Sequence, residues 1–349
     1  MQVLEAGKST IINFFIKEND LLNYCAFVTY TGKASLVLQN QGLPATTIHK
    51  LIYNAYKNYR TGKFYFKLKP QLDRNIKLII IDEISMVPMF LLKDLASYKI
   101  PIIALGDPGQ LEPIGEDNNL LKHPDIFLEE IHRQAQDNSI IRLSMLIREG
   151  KKLPFIYDDP FVKVLPRADL NIGMLLWADQ ILCAKNISRR QINQELRNYL
   201  GLFDEFPEKG DKVICLHNYW DFLNDDGFPL INGTIGQVTN ISKGVDQGIL
   251  GRKILMDFQS DYSSKEYYNI EIDSNIFKGF APSQNIKHRK IIYEFDFGYA
   301  ITVHKAQGSQ FNKVLVYEEH LRGNTHARLI YTAITRAIEK LVFIKADKE

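Results

Sequence analysis

Three short apolar runs in the first third of the chain are uninterrupted by polar residues: Ala26-Phe27-Val28, Leu78-Ile79-Ile80-Ile81 and Ile102-Ile103-Ala104-Leu105. A strand with one wet face alternates, whereas a strand buried on both faces does not, so these runs predict a parallel sheet covered on both sides. Residues 50–59 and 88–98 lie between them and carry apolar positions at helical spacing. Strand–helix alternation of this kind predicts a wound α/β sheet. The stretch Tyr59-Arg60-Thr61-Gly62-Lys63-Phe64-Tyr65-Phe66 departs from that texture. Its aromatic segments flank a Thr-Gly turn, which predicts a small hairpin inserted at about residues 57–72.

A second α/β segment begins near Phe127. Residues 139–149 predict a helix with Ser139 as its cap, stopped by Gly150. Residues 180–184 read as a strand and 188–199 as a helix. Between about 206 and 293 the pattern shifts to short β-rich runs broken by Gly, Asn and Asp turns, at 211–216, 233–241, 253–258 and 267–272. These predict a small β-barrel insert. The α/β texture then returns with a strand at 313–316, a helix at 328–337 and a strand at 340–344. The expected organisation is a first domain at 1–126, a second at 127–205 with 294–349, and the insert at 206–293.

A length of 349 residues suits two or three domains, and 45% hydrophobic residues suffice for real cores. The net charge of +2 permits a local nucleic-acid groove without demanding one. Cys25, Cys183 and Cys215 lie far apart with no C-x-x-C pair, which argues against zinc and disulfides and for a reducing compartment. No apolar run reaches membrane-spanning length and the residues before Gly7 are no signal peptide, so a cytoplasmic protein without a membrane partner is expected.

The candidate chemistry begins at Gly7-Lys8-Ser9-Thr10, the second half of the phosphate-binding pattern G-x-x-x-x-G-K-[ST]. Such a loop wraps N–H groups around phosphates, sets the lysine on the terminal ones and the hydroxyl on magnesium. The first glycine of the full pattern falls at Gln2, and the strand feeding the loop has at most residues 1–5, so a truncated loop is expected. Next, Ile79-Ile80-Ile81-Asp82-Glu83 delivers two carboxylates at the C-terminal end of a strand, where open α/β sheets bind ligands. One can hold magnesium and the other can polarise an attacking water. Gly106-Asp107-Pro108-Gly109-Gln110 ends another strand and presents a glutamine to the same edge, suited to sensing a γ-phosphate.

With these residues in place, the chain resembles a superfamily 1 DNA helicase of the RecD-like, phage Dda type, in motif order along nearly its whole length. Gly7-Lys8-Ser9-Thr10 matches the end of motif I, Thr29-Tyr30-Thr31-Gly32-Lys33-Ala34 motif Ia and Thr47-Ile48-His49-Lys50-Leu51 motif Ib. Asp82-Glu83-Ile84-Ser85-Met86 matches motif II, Gly106-Asp107-Pro108-Gly109-Gln110-Leu111 motif III and Ile131-His132-Arg133-Gln134 motif IV. Ile301-Thr302-Val303-His304-Lys305-Ala306-Gln307-Gly308-Ser309-Gln310-Phe311 matches motif V, and Leu329-Ile330-Tyr331-Thr332-Ala333-Ile334-Thr335-Arg336-Ala337 motif VI.

The resemblance implies two RecA-like P-loop NTPase domains, the hairpin in the first and an SH3-like β-barrel insert in the second. It implies ATP and Mg2+ as cofactors, with Lys8 on the β- and γ-phosphates, Ser9 and Asp82 on the metal, and Glu83 activating water. Gln110, Arg133 and Arg336 surround the γ-phosphate; transition-state arginines of this kind are worth about 10³–10⁵ in rate. Gly7 and Thr10 complete the loop, and Gly308 and Gln310 belong to motif V. The family usually has Glu where this chain has Gln310, whose amide still reaches a ribose hydroxyl.

For DNA, the resemblance implies contacts from Thr31, Thr47, His49, Thr302, His304 and Lys305, which grip phosphates without reading sequence. His49 reads equally as a satisfied structural histidine. Phe64, Tyr65 and Phe66 either split the duplex or form the hairpin's own small core. The implied activity is ATP-driven translocation along single-stranded DNA, 5′→3′, by a monomer acting at duplex junctions with replication or repair proteins. The truncated loop leaves an alternative: a degenerate single-stranded-DNA-binding protein with impaired ATPase.

Overall fold

The computed structural model describes residues 8–57, 64–112, 120–128, 138–154, 156–246, 252–261, 263–277, 292–321 and 325–346. Packing divides the chain into two compact units, Met1–Asp179 with Ala306–Glu349, and Gln180–Lys305.

The first unit opens with a wholly parallel sheet in the order β2-β1-β5-β6, made of β1 (Cys25–Thr29), β2 (Ala45–Thr47), β5 (Leu78–Asp82) and β6 (Ile102–Ala104). Phe27 pairs with Ala45 on one side and Ile80 on the other, and Ile80 with Ile103. Successive side chains of a strand face opposite ways. Phe27 and Ile80 therefore pack under Ile16 and Leu38, from helices Lys8–Glu18 and Gly32–Asn40. Val28, Ile79 and Ile81 point to the other face, against Ile48 and Ile52 of helix Ile48–Ile52 and Leu91 and Leu95 of helix Met89–Ala96. Both faces are covered, which is why the apolar runs are continuous. Each such side chain contributes roughly 1.5–3 kcal/mol on burial.

Residues 50–59 do not form the single helix their spacing predicts. Helix Ile48–Ile52 stops where Tyr53 turns extended (φ −115°, ψ 150°), and β3 (Tyr53–Lys57) pairs antiparallel with β4 (Phe64–Leu68), Tyr56 opposite Tyr65. The Tyr53 hydroxyl hydrogen-bonds Asp94, and its ring lies 6.2 Å from that of Phe66. These non-local partners outweigh a weak helical preference in an aromatic-rich stretch. Residues 58–63, with the Thr-Gly turn, lie outside the described residues.

The same unit holds parallel strands β18 (Phe311–Tyr317), β19 (Ala337–Lys345) and β8 (Val162–Pro166), with β7 (Tyr157–Asp158) antiparallel at the β8 side. Helices Ser139–Arg148 and Thr325–Ile334 accompany them. The cap of the first is Asn138 rather than Ser139. The Asn138 side chain accepts the Ile140 N–H at 2.9 Å, while Ser139 Oγ accepts from Arg142 Nη2 at 2.8 Å. Gly150 ends that helix as expected, at φ +74°.

In the second unit β9 (Gln180–Cys183) runs parallel to β17 (Ala300–Thr302), with Leu182 opposite Ile301, and helix Asn186–Tyr199 follows β9. The β-rich region forms an antiparallel sheet in the order β15-β14-β13-β10-β16: β10 (Lys212–Cys215), β13 (Ile235–Asp246), β14 (Arg252–Ser260), β15 (Glu266–Asp273) and β16 (Phe295–Phe297). A small antiparallel pair, β11 (Tyr219–Leu223) and β12 (Pro229–Leu230), packs Tyr219 and Phe222 onto its core of Val213, Val238, Met256, Phe258 and Phe295. Helix Asn186–Tyr199 is tied to this sheet: Arg189 bonds Asp296, Asn193 bonds the Phe297 and Ala300 carbonyls, and Arg197 bonds Asp211.

Cys25, Cys183 and Cys215 are buried free thiols. Among the described residues no helix is long and apolar enough to cross a membrane.

Candidate functional site

The C-terminal edge of the β2-β1-β5-β6 sheet gathers the candidate chemistry. Asp82 ends β5 beside Thr29 of β1. Its Oδ1 accepts the Glu83 N–H at 3.0 Å. Glu83 is buried and takes the left-handed conformation (φ 56°, ψ 49°), which costs a residue with a Cβ about 1–2 kcal/mol. The corner is fixed from the next strand. Ile84 N–H donates to the Leu105 carbonyl at 2.9 Å, and a Cβ on Gly106 would meet Ile84 Cγ2 at 2.5 Å, so only glycine fits there.

Beyond Gly106 the chain makes a tight loop. Asp107 Oδ1 accepts the Gly109 N–H at 2.9 Å, and the Asp107 carbonyl accepts the Gln110 N–H at 3.1 Å. Gln110 is only 5% exposed, and its Oε1 is buried without a hydrogen-bond partner among the described residues. The loop is held by helix Thr325–Ile334. Tyr331 donates its hydroxyl to Asp107 Oδ2 at 2.6 Å, Thr332 Oγ1 accepts the Leu111 N–H at 2.9 Å, and Arg328 pairs with Glu112. Gln307 Nε2 donates to the Leu111 carbonyl at 3.2 Å. Arg336, 1% exposed, donates to the carbonyls of Thr332 and Ser309, both at 3.1 Å, and to Thr335 Oγ1 at 3.2 Å.

Gly308, at φ +70°, closes against the first strand–helix turn. A Cβ there would sit 3.3 Å from both Thr31 Oγ1 and Ala34 Cβ. Buried Lys33 lies over the Phe311 ring with its Nζ 5.0 Å from the centroid.

Two family descriptions match this arrangement: residues 6–159 match "AAA domain" and residues 297–344 match "UvrD-like helicase C-terminal domain". The ATP-dependent RecD2 DNA helicase of Deinococcus radiodurans is 25% identical over 342 residues, covering 89% of this chain and 41% of that protein. In sequence the chain is thus similar to RecD-type helicases over most of its length. It spans about two fifths of that relative's length. The fold is that of the Pif1 helicase of Candida albicans (TM-score 0.54, 17% identity, 98% of this chain and 88% of that one). It is equally that of Bacteroides Pif1 in complex with ADP-AlF3 and ssDNA (TM-score 0.53, 19% identity, 97% and 86%).

The other motif residues fall in different settings. Lys8, Ser9 and Thr10 form the first turn of helix Lys8–Glu18, while their side chains, and Gly7, lie outside the described residues. So does Arg133, and so does the side chain of Phe64 on β4. Gln310 is half-buried just ahead of β18. The Thr31 and Thr47 hydroxyls cap helices, accepting the N–H groups of Ala34 and Lys50 at 3.2 Å each. His49 packs among Tyr30, Tyr53 and Phe66 at 5.7–6.2 Å between ring centroids, and burial pushes its imidazole pKa down. Tyr65 is exposed and stacked on Tyr56 at 5.5 Å. Thr302, His304 and Lys305 belong to the second unit, where burial lowers the pKa of both His304 and Lys305.

Asp107, Gln307, Tyr331 and Thr332 received no role from the sequence, although all four lie inside quoted motifs. For Asp107, Tyr331 and Thr332, proximity in sequence to Gln110 or Arg336 was the available signal.

The donor set fits a magnesium nucleotide. Asp82 and Glu83 share one sheet edge at the end of β5. Mg2+ suits such a place, since it takes one or two carboxylates and completes its shell with phosphate and water oxygens.

Proposed function

We propose that this chain carries the motor of an ATP-dependent DNA helicase, with ATP bound and hydrolysed at the C-terminal edge of the β2-β1-β5-β6 sheet. The observation that carries this reading is that Asp82-Glu83 and the loop at 106–110 follow adjacent strands, β5 and β6, at one edge of the sheet, the loop being held by Tyr331 through Asp107 and by Thr332 through Leu111. In it Gly7, Lys8 and Thr10 cradle the phosphates, Ser9 and Asp82 hold Mg2+, and Glu83 orients the attacking water. Gln110 meets the γ-phosphate, Arg133 and Arg336 neutralise charge in the transition state, and Gly308 and Gln310 face the ribose.

Single-stranded DNA is the track and duplex junctions are the substrate. Thr31, Thr47, His49, Thr302, His304 and Lys305 touch the strand, Phe64 and Tyr65 meet the junction, and translocation runs 5′→3′. The antiparallel sheet of the second unit serves as an SH3-like insert bracing the DNA. The helicase works as a cytoplasmic monomer alongside replication or repair proteins. Support comes from the Bacteroides Pif1 neighbour, which holds ADP-AlF3 and ssDNA, and from the ATP-dependent DNA helicase RecD2.

The test is phosphate release by the wild type and Lys8→Ala, with and without single-stranded DNA. Stimulated release by the wild type alone is expected; equal background rates in both sink the proposal.

A further inference from the structure

We infer that Tyr331 is a positioning residue that couples the Gln110 loop to Arg336 through its hydrogen bond to Asp107. This rests on the ATPase reading above and adds a residue to it.

The geometry is specific. Asp107 spends its two carboxylate oxygens on different tasks: Oδ1 shapes the loop through the Gly109 N–H at 2.9 Å, and Oδ2 receives the Tyr331 hydroxyl at 2.6 Å. The tyrosine ring lies flush on Gly109. A Cβ at that position would be 3.0–3.2 Å from ring atoms Cε1, Cδ1 and Cζ, so the loop backbone and the ring cannot shift independently. One residue on, Thr332 Oγ1 takes the Leu111 N–H at 2.9 Å. Gln110 is thus bracketed, with Tyr331 holding the residues before it and Thr332 the residue after it.

The same two residues lead directly to Arg336. The Thr332 carbonyl accepts Arg336 Nε at 3.1 Å and Thr335 Oγ1 at 2.9 Å, and Thr335 Oγ1 in turn receives Arg336 Nη2 at 3.2 Å. Displacement of the Gln110 side chain on loss of a γ-phosphate therefore moves Asp107 and Leu111, which pull on consecutive residues of the helix end that holds the arginine. Burial, with Asp107 beside it, pushes the Tyr331 hydroxyl pKa well above its ordinary value, so the group remains a donor throughout the working pH range.

Tyr331→Phe keeps the ring on Gly109 and removes one donor. Its expected effect is a fall of about tenfold in DNA-stimulated kcat with KM for ATP changed less than about twofold, a pattern that general destabilisation does not produce. Asp107→Ala, which also removes the Oδ1 acceptor of Gly109, is expected to lose at least as much, and the double variant to be no worse than Asp107→Ala alone, because the Tyr331 bond is already gone there. Asp107→Asn, whose amide can still bridge Gly109 and the Tyr331 oxygen, is expected to restore most of the rate. Circular dichroism melts of all four variants check that folding is intact.

Wild-type kcat in Tyr331→Phe, or losses that multiply in the double variant, overturn the inference and leave the ATPase reading standing. A wild type with no turnover overturns both.

Discussion

Arg197 grips Asp211 with both side chains sealed from water, at 1% and 0% exposure: Nε donates to Oδ1 at 2.9 Å and Nη2 to Oδ2 at 3.1 Å. The guanidinium also lies 4.0 Å over the Phe297 ring, and Tyr299 donates to the same carboxylate at 3.1 Å. One side chain thus joins the helix that follows β9 to the entry of β10 and the end of β16.

Removing one partner of such a pair leaves the other charge buried and unmatched. Arg197→Ala is expected to destabilise the second unit by about 3–5 kcal/mol. Thermal unfolding followed by circular dichroism reads this directly, and a melting temperature within about 2 °C of wild type contradicts it.

Asp159 sets a pH dependence. Burial alone raises its carboxyl pKa, but hydrogen bonds from Ser139, Tyr157 and the N–H groups of Phe161 and Val162 outweigh it and hold the pKa at about 2. A carboxylate whose folded pKa lies below its unfolded value of about 3.9 contributes stability above that value and loses it as pH falls towards 2. Discounted for its partial exposure to solvent, the contribution is about 1–2 kcal/mol. Asp159→Asn is expected to flatten the fall of melting temperature between pH 5 and 2; a profile parallel to wild type refutes this.

Gly308→Ala places a side chain where φ is +70° and Thr31 and Ala34 are already in contact range. The expected cost is about 1–2 kcal/mol in stability. Because Gly308 faces the ribose in the proposed nucleotide site, phosphate release should fall as well. Both are measurable on one preparation, and an unchanged melting temperature contradicts the packing argument.

Glu83→Gln keeps size and shape while removing the base. Nucleotide affinity is expected to stay within about twofold, while turnover falls by about 10²–10⁴. Equilibrium binding of a fluorescent ATP analogue and single-turnover hydrolysis separate the two quantities. Retained turnover removes Glu83 from its role.

The parallel sheet was legible because its burial is local information. Ile79, Ile80 and Ile81 are apolar in succession, since both faces are covered. Asp82-Glu83 was legible because it follows such a run directly. Residues 53–57 were not: their helical spacing is real, but pairing with 64–68 and the Tyr53–Asp94 bond decide the outcome from elsewhere in the chain. The Asn138 cap was missed by one residue, because Asn138 and Ser139 are both good caps and only the geometry chooses between them.

By itself the sequence determined the order of the motifs, the carboxylates at the end of β5 and the two-sided burial of the strands, all properties of neighbouring residues. Only the tertiary structure decided that Tyr331 meets Asp107 across 224 positions, that Gly308 seats against Thr31, and that Arg197 binds the β-rich region to its neighbouring helix. Those contacts depend on how the strands stack and where the helices return. A hydroxyl carries no mark of the carboxylate it will meet until the chain between them has folded.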